Sequence, residues 1–298
     1  MFSSIKSDLH SQWSRPNGGL QRLIIINVAV FLIVNLAHLF ISSEETYLYF
    51  IKFFAMPTDY ATFITRPWTF VTSFFTHMGF SHIFWNMVFL YWFGIIIREY
   101  LGSDRLINLY ILGGLMGSAF IFILFYTVPS VNYEIALGAS AGVYAVMIGA
   151  ATLLPNYTFH LLFIGPVKIK YIAAFHIVMA ILGLKGTNYG GELAHLGGAF
   201  IGYFYIRSLQ KGTDLGAWIG STMVFIKSFF VKQSKMKVNY SRKQSTKTYS
   251  SGTPKTEKKK HSAPTQAEID RILDKISQSG YESLSKEEKE KLFNASKK

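Results

Sequence analysis

The chain has 298 residues, half of them hydrophobic and 16% aromatic, with a net charge of +13 and no cysteine. Its positive mean hydropathy excludes an ordinary soluble domain, and the missing cysteines exclude disulfides and thiolate metal sites. Nucleic acid is not the partner this charge implies: residues 232–298 hold 17 Lys or Arg against 8 Asp or Glu, a basic tail beside a membrane, where each cation adds about 1 kcal/mol of attraction to anionic lipid heads.

Residues 1–22 are polar, carry Asp8, Lys6, Arg15 and Arg22, and read as a cytoplasmic N-terminus, neither a cleavable signal nor a transit peptide. Apolar spans follow near 23–41, 83–100, 106–128, 138–154, 169–184 and 193–209. Runs of this kind with almost no internal charge predict an all-α polytopic membrane protein with a six-transmembrane-helix core over 23–209. Only helices satisfy every backbone group in lipid without a closed sheet. The first span holds Asn27, Asn35 and His38, the last read as a packing or hydrogen-bonding residue between helices. Residues 42–81 are rich in aromatics but broken by Lys52, Pro57, Asp59, Arg66 and Pro67, and are expected to lie in the membrane interface.

Orientation follows from the basic residues. Arg98 and Arg105, then Lys168 and Lys170, then the tail fall on one side, and Lys52, Arg66 and Lys185 on the other. Six spans in the cell (inner) membrane, with both termini cytoplasmic, satisfy the positive-inside bias. Residues 210–231 are expected to be an interfacial amphipathic segment rather than a seventh span, because Lys227 interrupts them and crossing would carry the tail outside. Residues 232–264 read as a basic disordered linker. Thr265-x-x-Glu268 has the form of a capping box, with Ile269, Ile272, Leu273 and Ile276 on one helix face, Gly280 suited to the helix end, and Ser285-x-x-Glu288 opening another helix. Residues 265–298 are thus expected to be a helical hairpin that docks on a cytoplasmic partner.

In this orientation the second, fourth and sixth spans all enter from outside. The fourth segment, Leu137 to Pro155, opens on Gly138-Ala139-Ser140-Ala141-Gly142 and is just long enough to cross a bilayer, which takes about 17 to 25 apolar residues. The second opens with His77, His82 and Asn86, the last two one helix turn apart, and the sixth with Glu192 and His195. Polar residues that converge at one depth mark a site. Ala141, Ala145 and Gly149 form a small-residue ridge on the fourth span, and Ala194, Gly198 and Gly202 on the sixth, the Gly198-x-x-x-Gly202 spacing allowing close backbone approach. If these ridges pack together, Ser140 and His195 come within hydrogen-bonding reach, as a nucleophile and its base require. No carboxylate lies within the spans at that level. With Glu134 and Glu192 confined to the connection and the mouth, a Ser-His dyad is expected rather than a triad. Tyr144, one turn below Ser140, is placed to orient His195 by packing.

Taken together these residues resemble the rhomboid family of intramembrane serine proteases, across 23–209. The marks are the spacing of His77, His82 and Asn86, the Gly138-x-Ser140 motif, Tyr144, and Ala194-His195-x-x-Gly198. The resemblance implies a six-helix, cofactor-free and metal-free enzyme in the lipid bilayer that cleaves transmembrane segments of other proteins near the outer surface. Ser140 would be the nucleophile and His195 the general base. His82, Asn86 and the Ser140 N–H would line the oxyanion hole, His77 would support it, and Tyr144 would pack on His195. An amide donor such as Asn86 suits an oxyanion because it brings no charge into the membrane. Two positions depart from the family pattern: Ala141 follows the serine where Gly is frequent, and Arg66-Pro67-Trp68-Thr69 stands where a Trp-Arg pair is frequent. The competing readings are a proteolytically silent relative that binds membrane proteins, and a metal site built on His77, His82 and His195.

Overall fold

The computed structural model describes residues 17–57, 59–127, 135–162, 164–230, 266–279 and 281–295. The expectations for residues 1–16, the linker 232–264, Glu134, Thr265 and Gly280 lie outside the described residues. The chain divides into two units, residues 1–234 and 235–298.

In the first unit, α1 (Gly19–Phe40) leads into a run of short elements: α2 (Glu44–Lys52), β1 (Met56–Pro57), α3 (Tyr60–Thr65), α4 (Thr69–Thr72) and a 3-10 turn (Ser73–Phe75). Then come α5 (Phe80–Leu101), α6 (Ser103–Thr127), β2 (Ile135–Ala136), α7 (Ser140–Leu153), β3 (Thr158–Leu161), β4 (Gly165–Lys168), α8 (Ile169–Gly183), α9 (Tyr189–Gln210) and α10 (Ala217–Phe230). Every apolar span read from the sequence is therefore a helix. Three of them, α1, α5 and residues Ser103–Phe125 of α6, are long and apolar enough to cross a bilayer, whereas α7 and α8 are shorter apolar helices. α9 matches α1 at 22 residues, but its glycines, Glu192, His195 and Arg207 dilute its apolar character.

Polar side chains start and anchor the short elements. The Ser43 side chain caps α2 by accepting from the Thr46 N–H, and Asp59 Oδ1 caps α3 by accepting from the Thr62 N–H at 2.7 Å. Arg66 donates to the Lys52 carbonyl at 3.2 Å and to the Tyr49 hydroxyl at 3.3 Å, while Trp68 donates to the Phe53 carbonyl at 2.9 Å. Arg66 thus anchors the segment although the Trp-Arg order of the family is absent. β1 pairs antiparallel with β2, Met56 opposite Ala136, which ties this segment to the approach of α7. His38 stacks on Tyr47 at 3.9 Å and pairs with Glu44 at 2.8 Å.

The core lies where α6, α7 and α9 meet. A Cβ on Gly198 would sit 2.8 Å from the Ala141 carbonyl carbon and 3.0 Å from its Cα, and one on Gly202 would sit 2.9 Å from the Ala145 Cα. The two ridges therefore register backbone against backbone, as the sequence predicts. Gly113 and Gly117 of α6 add a third ridge against Ala145 and Ala141.

Polar contacts tie α1 to the loop before α5. Asn27 Nδ2 donates to the Tyr110 hydroxyl at 3.0 Å, and that hydroxyl donates to the Phe74 carbonyl at 2.9 Å. Asn35 Nδ2 donates to the His77 carbonyl at 3.1 Å.

The second unit contains α11 (Gln266–Ser279), a 3-10 turn (Tyr281–Ser283) and α12 (Lys286–Ala295). Ser285 and Glu288 form the expected reciprocal cap: Ser285 Oγ accepts from the Glu288 N–H, and Glu288 Oε2 accepts from the Ser285 N–H at 2.7 Å. Lys275 pairs with Glu288 and Lys291 with Glu268, at 2.9 and 2.7 Å, and Ile272 and Leu284 are buried.

Candidate active site

Ser140 is the first residue of α7, so its N–H is among those an α-helix leaves without an intrahelical acceptor. The turn into it needs Gly138, whose φ of +123° favours glycine and whose missing Cβ leaves room for a ring: a Cβ there would lie 2.6 Å from His82 Cε1. The Gly138 N–H donates to the Ser73 carbonyl at 2.9 Å, and the Ala139 N–H donates to His77 Nε2 at 3.2 Å. His77 therefore supports the turn that presents Ser140. Burial, then the nearby His82, pushes the His77 pKa down to about 3, which keeps its ring neutral and Nε2 an acceptor.

His195 lies in the second turn of α9. Its Nε2 is 2.8 Å from Ser140 Oγ, with the serine hydroxyl placed to donate, and its Nδ1 is 3.0 Å from Glu192 Oε2. Tyr144 stacks flat on the imidazole, centroids 4.2 Å apart and planes within 7°. Of the two carboxylates that the sequence leaves outside the spans, Glu192 is the one found in contact with His195. Glu192 precedes His195 by three residues on one helix, a spacing that puts both side chains on the same face. The Glu-x-x-His spacing was visible in the sequence. Glu192's place at the mouth of the span argued the other way.

Ser140 sits between two cavities. One, of about 430 Å³, is lined by Ser73, Phe74, His82, Gly114, Gly117, Ala141 and Ala194 among others, and the second, of about 520 Å³, by His82, Asn86, Tyr144, His176 and His195 among others. His82 lines both. Asn86 lines the second, with one amide hydrogen already donated to the His82 carbonyl at 2.8 Å. His176 of α8 packs edge-on against Tyr144 and had no sequence signal to bring it here. Among the described residues no group of three His, Asp or Glu side chains is gathered to hold a metal ion.

A model of the Rhomboid domain matches residues 65–211, the interval that holds His77, His82, Asn86, Ser140 and His195. The chain carries a rhomboid domain. Among similar rhomboids, RHOMBOID-like protein 12, mitochondrial, of Arabidopsis thaliana is 34% identical over 49% of this chain and 48% of its own length. Rhomboid-like protein 16, chloroplastic, of the same plant is 30% identical over 66% of this chain and 63% of its own. Rhomboid protein 1, mitochondrial, of Saccharomyces cerevisiae is 27% identical over 67% of this chain and 56% of its own. This rhomboid chain thus spans about half to under two thirds of the length of these relatives. Residues 255–298 match a family of unknown function, DUF6576.

Rhomboids are generally serine intramembrane proteases. The expected location in the cell membrane is overturned by the relatives, whose names place them in mitochondria and chloroplasts. The physical reason is that a count of basic residues reports which face of a bilayer a connection lies on, not which bilayer it is. Ala141, where rhomboids frequently have glycine, packs its backbone on Gly198 and its methyl on Gly117, so the place next to Ser140 is filled by the helix interface itself.

Proposed function

We propose that this rhomboid is an active intramembrane serine endopeptidase that cleaves transmembrane segments of other membrane proteins, in a six-span core, near the face opposite the basic connections. The observation that carries the reading is the 2.8 Å approach of Ser140 Oγ to His195 Nε2 between two cavities able to hold chain on either side of a scissile bond. Ser140 Oγ adds to the scissile carbonyl carbon as its proton passes to His195 Nε2. The oxyanion is held by the Ser140 N–H at the positive end of α7, by His82 and by the second amide hydrogen of Asn86, and each such donor is worth about 10² to 10³ in rate. The C–N bond then breaks, the departing amine takes the proton from Nε2, and a water deprotonated by the same nitrogen hydrolyses the ester.

A transmembrane helix resists attack because its carbonyls are bonded along the backbone, so the substrate is a segment weakened by small or helix-breaking residues. The tail 265–298 serves as a docking element for a protein partner, and α10 lies along the lipid interface. Incubation of a model transmembrane substrate with wild type, Ser140→Ala and His195→Ala in detergent tests the assignment. Cleavage by wild type alone is expected. Cleavage that survives both substitutions, or a wild type that binds the segment without cutting it, would refute the protease reading.

A further inference from the structure

We propose that Glu192 is a positioning residue for the serine chemistry, so that Ser140, His195 and Glu192 act as a three-member chain rather than a pair. This rests on the reading of Ser140 as the nucleophile. Both imidazole nitrogens are engaged, Nε2 by the serine at 2.8 Å and Nδ1 by the carboxylate at 3.0 Å. With an ionised carboxylate and a neutral ring, one proton arrangement satisfies both contacts: Nδ1–H donates to Glu192, and Nε2 is left to accept from Ser140. The carboxylate fixes the tautomer that the base needs. It then stabilises the imidazolium that forms when the serine proton moves across, as a charge-assisted hydrogen bond does.

The alternative role of Glu192 is that of an ordinary first-turn acid, complementing the positive end of α9. A carboxylate doing only that is served by pointing into water. This one is drawn inward. The side chains of His195 and Glu192 are only 15% and 21% exposed, and the end of α8 makes room for the carboxylate. A Cβ on Gly183 would fall 2.7 Å from Glu192 Cγ and 3.1 Å from Oε1. The ring itself is fixed by Tyr144 stacked on its face. Facing His195 from α5, α7 and α8 are His82, Tyr144 and His176, none of them a carboxylate.

The test uses the full chain in detergent micelles and compares wild type, Glu192→Gln, Glu192→Asp and Ser140→Ala. Glutamine keeps the size and a hydrogen bond and removes only the charge, so it separates electrostatic positioning from packing. Three quantities are read: kcat and KM on a model transmembrane substrate, the rate at which a fluorophosphonate labels Ser140, and the melting temperature. For Glu192→Gln, kcat and the labelling rate are expected to fall together by about 10- to 100-fold, with KM and melting temperature unchanged and Glu192→Asp recovering part of the loss. Glu192→Gln with wild-type kcat and labelling would overturn the proposal, as would a loss that tracks a fall in melting temperature and is no smaller in Glu192→Asp. Failure of the parent reading looks different: wild type would not be labelled at Ser140, or Ser140→Ala would still cleave, and either result sinks both.

Discussion

Replacing Gly198 by alanine should disable the site without touching any residue that does chemistry. The added methyl would lie 2.8 Å from the Ala141 carbonyl carbon and 3.0 Å from its Cα, and closer still to the carbonyl oxygen. Ordinary carbon contacts are about 3.5 to 4.0 Å, so the backbones of α7 and α9 must separate by about 1 Å locally. The obstacle is a helix backbone, which cannot rotate aside as a side chain can. Ala141 adjoins Ser140, and His195 is one turn before Gly198, so the separation is transmitted to a hydrogen bond that starts at 2.8 Å and stretches it past hydrogen-bonding range. Misplacement of about 1 Å costs roughly 100-fold in rate, and overpacking costs about 1 to 3 kcal/mol of stability. Substrate cleavage and fluorophosphonate labelling in detergent, with thermal melting alongside, measure both. Gly220→Ala on α10 is the control, since a Cβ there meets nothing within 4 Å. Gly198→Ala with wild-type cleavage and wild-type melting would refute the claim that this helix contact sets the distance between base and nucleophile.

Other substitutions report on other parts of the frame. Tyr110→Phe leaves the Phe74 carbonyl and the Asn27 amide without their buried partner and should cost about 1 to 3 kcal/mol, read from chemical unfolding in mild detergent. Gly138→Ala meets both an unfavourable φ and the His82 ring; it should abolish cleavage, and an active variant would show that the turn can relax. The His77 pKa of about 3 lies far below that of an unfolded histidine. The unfolded chain therefore binds the extra proton as pH falls below about 6.5, and stability should drop by up to about 1.4 kcal/mol per pH unit between there and about pH 3. Above pH 6.5 this contribution is fully present. Melting curves of wild type against His77→Gln across pH 4 to 7 check the sign, and a flat difference would refute it.

The approach of Ser140 to His195 was legible because three properties of the sequence coincide: a small-residue ridge on each helix, a reactive residue beside the first position of each ridge, and entry of both helices from one side. Helix existence was likewise written in apolar runs. What could not be read were contacts to backbone. In the sequence Asn27 and Asn35 are two amides inside an apolar span, yet one bonds the tyrosine that holds the Phe74 carbonyl and the other bonds the His77 carbonyl directly. A carbonyl carries no residue-specific signal, so nothing in the sequence names the partner. Gly113 and Gly117 have the same spacing as the ridge on α9, but no reactive residue stands beside them to mark that ridge in the sequence. The pairing of Met56 with Ala136 joins segments 80 residues apart and rests on two residues per strand, too little for a pattern.

The helix that carries Ser140 has only 14 residues, most of them enclosed by neighbouring helices. At about 1.5 Å per residue it is some 21 Å long, against a hydrocarbon layer of about 30 Å. Because protein rather than lipid surrounds it, the shortfall does not have to be met by thinning the bilayer, and two cavities open at Ser140. On the proposed protease reading, those cavities let hydrolytic water reach Ser140 without being carried through hydrocarbon, and a substrate helix has to unravel to enter them. Turnover is then expected to follow how readily a guest helix comes undone, and residues far from the scissile bond that stiffen the guest should slow it as effectively as changes at the bond itself.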